Sequence, residues 1–409
     1  MEVAYGRFEA RQSLLALRYH GYQFGIYNPF LGDGRGFLYG QLRDRHGNLH
    51  DLGTKGSGTT PWSRGGDGRL TLKGGVREVI ASEALHHLGV TTSRTLSLVE
   101  TGEGLWRGDE PSPTRSSVMV RLARTHLRFG TCERLLHLCK PEQLEQLLRH
   151  VVAVHYPHLA ESDHPLLAFY AGLVERVARL AAESFDYGPF AFLEIWDPGF
   201  TAAYFDQNGL YAYGQQPLIC HQNLRLLQEP LAMLLPRPEM EARLERFAPA
   251  CDQHYRQRLM RRLGFDLPGA NMGGREGELP DLVPLTLQLL AQWPVAYGAF
   301  LAALADRIAP FVAGAPEPPP GPWRAWREGW WAWSQGRPSA QEAGIASTLR
   351  CWNLPVTPMS VRAKVERLWE AIDQRDDWQP LHQWLESFRS PHGAEDGCFA
   401  LQPQTAESV

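Results

Sequence analysis

The six cysteines of this chain, Cys132, Cys139, Cys220, Cys251, Cys351 and Cys398, stand apart with no C-x-x-C spacing. That excludes a thiolate zinc site and a disulfide scaffold, and they read as reduced thiols. No stretch approaches the apolar length that crosses a bilayer, and Met1–Arg7 lacks the apolar core of a signal peptide; no membrane partner is expected, and a cytoplasmic location is. Basic runs are missing too. With 41 Lys and Arg against 45 Asp and Glu, the net charge of −4 offers nucleic acid no electrostatic footprint. Walker A, G-x-G-x-x-G and G-x-S-x-G patterns are all absent, as is any internal repeat. What remains is an ordinary globular composition, 44% hydrophobic and 21% charged over 409 residues, enough for one large core or two to three domains.

Glycine, by contrast, is concentrated early. Gly32-Asp33-Gly34-Arg35-Gly36 and Gly65-Gly66-Asp67-Gly68-Arg69 flank Lys55-Gly56-Ser57-Gly58. One Gly-Asp-Gly is ordinary turn chemistry. Two, each followed by arginine and enclosing a lysine, point to an anion site, because glycine lets backbone N–H groups approach an anion and guanidinium forks suit phosphate oxygens. Glu78 follows on a stretch with apolar residues at helical spacing. A strand-end lysine paired with a glutamate on the next helix seats ATP in protein kinases; spacing alone leaves open that Glu78 is a solvated helix residue.

The surrounding pattern predicts a β-rich opening over 14–60. Gly36–Leu42 pairs there with Leu49–Thr54 across Arg45-His46-Gly47-Asn48, and Lys55 falls at the strand end. A helix over 75–88 and strands at Leu96–Val99 and Ser117–Leu122 complete a small sheet. Beyond about 130 the apolar spacing turns helical, as in Leu144 to Val154 and Leu166 to Leu180. Pro316–Pro322 reads as a stiff extended connector and a boundary. Trp323, Trp326 and Trp330 share a helical face and read as a packed seam. His86-His87 and the pair His155 and His158 lack a ligand set, so no metal is assigned to them.

Tyr19-His20-Gly21-Tyr22-Gln23-Phe24-Gly25, Leu31–Arg35, Lys55–Arg69, Arg77-Glu78, His126-Leu127-Arg128-Phe129-Gly130, Phe185-Asp186-Tyr187-Gly188-Pro189-Phe190 and Gln215-Gln216-Pro217 occur in this order. Together they resemble the SelO family of protein adenylyltransferases, over most of 14–230 and more weakly from Thr357 to Phe388. The resemblance implies an α+β, protein-kinase-like bilobal fold: a β-rich N-lobe over 1–125, a helical C-lobe over 126–315 and an additional C-terminal helical region over 323–409. It also implies ATP bound in a flipped orientation, with Mg2+ or Mn2+, and transfer of AMP to Ser, Thr or Tyr hydroxyls of partner proteins. Carried over residue by residue, Gly32, Gly34, Arg35, Lys55, Asp67, Gly68, Arg121 and Arg128 would contact the nucleotide. Glu78 would pair with Lys55, and Asp186 would hold the cation.

One departure bears on activity. The family's loop close to H-G-x-x-N-T-D-N-M-S, which carries the base and a metal-binding asparagine, has no counterpart here, where Leu173–Ser184 runs directly into Phe185-Asp186. No catalytic residue is therefore assigned. Loss of a positioned base costs about 10²- to 10⁴-fold in rate, and Glu175 and Glu183 read as solvated helix carboxylates rather than substitutes. Impaired AMP transfer is the expectation; the alternative is a catalytically inactive pseudokinase that binds nucleotide and acts through protein partners. Ordinary phosphoryl transfer fits poorly, since it needs the same loop and another nucleotide orientation. Smaller departures are Tyr22 for a usual histidine, Gln222 for a usual tryptophan, and an ending at Thr405–Val409 without the family's cysteine-containing tail, which puts redox control through that tail in doubt.

Overall fold

The computed structural model describes residues 14–87, 90–108, 110–181, 192–203, 206–265, 279–304, 315–334 and 362–387. The fold is α+β, with a β-rich N-terminal region and a helical remainder. It divides into two compact units, one of residues 1–82, 91–161 and 385–409, the other of 83–90 and 162–384.

In the first unit, β1 (Arg18–Gln23) and β2 (Ile26–Gly32) form an antiparallel hairpin of their own. A five-stranded sheet follows, from β3 (Leu38–Arg43), β4 (Leu49–Lys55), the short β5 (Leu70–Thr71), β6 (Arg94–Leu105) and β7 (Thr114–Ala123). The expected hairpin is there: β3 pairs with β4 across Asp44–Asn48, Arg43 opposite Leu49. At the centre lies β7, whose Val118, Met119, Val120 and Leu122 are buried, as the β-branched and apolar content of the strand dictates. It takes β6 along one edge and β4, then β5, along the other. Gly53 lies opposite Arg121 and Lys55 opposite Met119. Side chains two apart share a face, so this register sets Lys55 and Arg121 on one face as diagonal neighbours.

Helix α1 (Leu72–His87) buries Leu72, Val76, Ile80 and Ala84, a four-residue spacing that defines one stripe. Glu78 falls between two of these positions. Two further helices, α2 (Phe129–His137) and α3 (Pro141–His155), complete the unit, with α2 against β1.

The second unit is helical among the described residues. Helix α4 (Pro165–Ala181) packs on α5 (Gln216–Leu231), α6 (Arg237–Leu244) and α7 (Phe247–Arg262). Buried Tyr170 accepts a hydrogen bond from Gln228 Nε2 at 2.8 Å. Another core gathers α8 (Leu282–Gln292), α9 (Tyr297–Ala303) and α10 (Pro320–Ser334). The tryptophan seam is real: Trp326 is buried, stacks between Trp323 and Trp330 at 5.5 and 6.3 Å, and donates to Thr286 Oγ1 at 2.9 Å. The extended connector needs correction, because Pro320, Gly321 and Pro322 form the first turn of α10. Proline tolerates that position, where its missing N–H would have no helical partner. Helices Arg362–Arg375 and Gln379–Ser387 follow.

Candidate functional site

Lys55 ends β4, and its ammonium contacts Glu78 Oε1, 23 residues on in α1. The other carboxylate oxygen of Glu78 lies 3.5 Å from Arg121 Nη1. Sheet register and helix packing thus set two cations against one carboxylate. Burial drives the Lys55 ammonium down to about 8; Glu78 opposes this, while Arg121 and Arg35 push it further down. Positive charge is in excess at this point of the fold.

The glycine turns close around it. A Cβ on Gly36 would lie 2.0 Å from the Thr54 carbonyl oxygen, so only glycine lets the first turn lie flat on the end of β4. Gly56 N donates to Arg35 O at 2.6 Å, joining that turn to the one after Lys55. Thr60 Oγ1 donates to Asp33 O at 2.5 Å and Ser63 Oγ to Gly34 O at 2.6 Å. Tyr19 OH donates to Gly32 O at 3.1 Å. In the second turn Gly68 has φ +70°, and a Cβ there would come within 2.2 Å of the Gly58 carbonyl carbon. Gly58 N in turn donates to Gly68 O at 3.2 Å. Residues 32–36, 56–58 and 65–69 therefore form one set of backbone turns against Lys55.

Arg128 precedes α2, and its guanidinium lies over the Tyr19 ring at 4.7 Å and 3.8 Å from Asp33 Oδ1. Asp33 itself accepts from Leu17 N at 3.1 Å. The segment bearing Arg128 is pinned to β4 by buried Asp51, which accepts from His126 N at 2.7 Å and from Gln41 Nε2 at 2.7 Å. Burial works to raise the Asp51 carboxyl, but the hydrogen bonds from His126 and Gln41 prevail and hold it below the usual carboxylate range.

Of the residues singled out from the sequence, Lys55, Glu78 and Arg121 come together directly, with Arg35 close enough to act on Lys55. Gly32, Gly34 and Arg128 join through the first turn, and Gly68 through the contact with Gly58. The Asp67 carboxylate is turned to Arg107 instead. Asp186 lies outside the described residues, and among those described no group of three or more His, Cys, Asp or Glu could hold a metal. Glu175 pairs with His254 at 2.6 Å and Glu183 is outside the described residues. Sequence reasoning missed Tyr19, Asp51 and Arg107 as supports. Each acts on a partner 13 or more positions away, beyond the reach of any local spacing.

A family model described as "Protein adenylyltransferase SelO" matches residues 1–183 and 180–389. A protein nucleotidyltransferase YdiU of Gloeobacter violaceus is 49% identical over 421 aligned positions, covering 95% of this chain and 85% of that protein. One from Synechococcus elongatus is 47% identical over 429, covering 96% and 86%. A more distant one from Pseudomonas putida is 36% identical, over 71% of this chain. The 421 and 429 aligned positions exceed the 409 residues present, so residues of those relatives face gaps here. The two stretches of the family match meet at 180–183, where the sequence passes straight into Phe185-Asp186.

Proposed function

The chain belongs to the SelO family of protein adenylyltransferases, and from that premise we propose that its first unit binds ATP and that its chemistry is AMP transfer to protein hydroxyls. The observation that carries this reading is the excess of positive charge from Lys55, Arg121 and Arg35 over the carboxylate of Glu78 among the described residues. It lies beside turns in which Gly36, Gly56 and Gly68 leave no room for a Cβ. A polyphosphate supplies the missing negative charge, and the guanidinium groups of Arg35, Arg121 and Arg128 supply hydrogen-bond donors for its oxygens. The first unit would be the N-lobe and the helical unit the C-lobe of a kinase-like fold, in the cytoplasm.

In the transfer, the target Ser, Thr or Tyr oxygen bonds to the α-phosphorus of ATP, the bond from that phosphorus to the bridging oxygen breaks, and pyrophosphate leaves. The hydroxyl proton passes to water, because the family's loop aspartate has no counterpart. Asp186 would hold Mg2+ or Mn2+, and the cation's charge would offset phosphate charge. With one family metal ligand and the base missing, slow transfer is the expectation: Lys55, Arg121 and Arg128 still stabilise phosphate charge, without the 10²- to 10⁴-fold or so of a positioned base. The second reading, a nucleotide-binding pseudoenzyme, is favoured by the same gap. Incubation with ATP labelled at the α- or the γ-phosphate separates them. Protein label from the α-phosphate alone supports transfer, saturable binding without label supports the pseudoenzyme, and label from the γ-phosphate overturns both.

A further inference from the structure

Asp67 brings a carboxylate into the second glycine turn, beside a site that has to take a polyanion, where an uncompensated negative charge would repel the ligand. Arg107, just past the end of β6 at the tip of the β6–β7 hairpin, compensates it. Its Nη1 meets Asp67 Oδ2 at 2.8 Å and its Nη2 meets Oδ1 at 3.1 Å, and the Arg69 backbone N–H also donates to Oδ1, at 2.9 Å. Burial works to raise the Asp67 carboxyl, but the bonds from Arg107 and Arg69 prevail and hold it below the usual range.

Arg107 is held by its own loop. Its N–H donates to Ser112 Oγ at 2.8 Å, Ser112 Oγ donates back to its carbonyl at 3.0 Å, and Nη1 also donates to the Trp106 carbonyl at 2.9 Å. The same hairpin ties the turn a second time, through Glu103 and Arg69 at 3.1 Å. Single exposed ion pairs contribute little, whereas a bidentate arginine held by its own loop is geometrically committed.

We propose that Arg107 is a positioning residue of the nucleotide site, neutralising Asp67 and fixing the Gly65–Arg69 turn so that the turn can receive a polyphosphate. The proposal rests on the ATP reading above. It is tested on the full chain by calorimetric titration with ATP and magnesium, comparing wild type with Arg107→Ala and Arg107→Lys. Arg107→Ala should weaken binding by roughly 2- to 5-fold, as expected for one partly exposed charge pair. Arg107→Lys should fall between, because an ammonium cannot grip both oxygens. A ligand-free measurement accompanies these: the carboxyl carbon of Asp67, followed by NMR, should titrate at higher pH in Arg107→Ala than in wild type. If that titration does not move, or Arg107→Ala binds ATP as tightly as wild type, Arg107 does not act through Asp67 on the nucleotide site and the proposal is overturned. A wild-type chain that takes up no ATP overturns the ATP reading instead, and the carboxyl titration then decides the Arg107–Asp67 link by itself.

Discussion

Glu78→Gln removes one negative charge from the site at almost unchanged size. Glu78 contacts the Lys55 ammonium and lies 3.5 Å from Arg121, with the three side chains 14%, 19% and 25% exposed. A pair of unit charges at that range interacts by about 4 kcal/mol at an effective dielectric near 20. Removing one member of a buried pair costs about 3–5 kcal/mol, chiefly because the partner is left without a counter-charge. Partial exposure lowers that figure, while the two cations left facing each other raise it, so a loss of about 2–4 kcal/mol is expected at pH 7. The loss should be smaller at pH 9. Lys55 titrates at about 8 with Glu78 holding it up, so without Glu78 it sheds its proton more readily and relieves the repulsion. Urea unfolding followed by circular dichroism at both pH values measures this, and Lys55→Met combined with Glu78→Gln should recover about half of the loss. A midpoint unchanged at both pH values, or a larger loss at pH 9, would refute the reasoning, because Glu78 would then not be compensating a desolvated ammonium.

Lys55 also sets a pH dependence for ligand binding. ATP affinity should fall by up to about tenfold per pH unit above 8 as the ammonium is lost, and calorimetry at pH 8 in buffers of different ionisation enthalpy should show proton uptake; equal heats in both buffers would contradict it. Without ligand the sign for Lys55 is opposite. Its folded value lies below the ordinary 10.5, so the unfolded chain binds more protons between about 8 and 10.5 and stability rises with pH across that window. His20, buried with Nδ1 2.6 Å from the Tyr27 hydroxyl, is held down to about 4, first by burial and then by His137, Arg18 and Arg134. Its contribution is full above 6.5 and is lost as pH falls from there to about 4, by about 1–3 kcal/mol. Acid titration of the stability of wild type against His20→Phe measures it, and identical slopes would remove His20 as the cause. Gly36→Ala should cost about 2 kcal/mol or more and weaken ATP binding, because its Cβ meets the Thr54 carbonyl at 2.0 Å and backbone must move; thermal unfolding and a binding titration check both parts.

Local order along the chain carried a good deal of this structure. The β3–β4 hairpin followed from alternating strands on either side of Gly47-Asn48, and Lys55 at the strand end followed from the hairpin. Helices α1, α3 and α4 and the Trp323–Trp326–Trp330 seam followed from spacings of three and four. All of these depend on neighbours a few residues apart, which is where sequence periodicity has its information. The family was legible in the order of the glycine, lysine and arginine motifs.

Other features were decided by the tertiary fold. The diagonal of Lys55 and Arg121 is a consequence of the β4–β7 register, which the whole sheet sets and neither strand specifies alone. Spacing left Glu78 open between a solvated residue and a partner of Lys55, and the packing of α1 on the sheet resolves it. The capture of Asp67 by Arg107, 40 residues away, and the hold of Asp51 on His126, 75 residues away, leave no trace in local pattern. The physical reason is common to all of them. Charge compensation depends on distance in space, and that distance is fixed only once sheet register and helix packing have brought remote segments together.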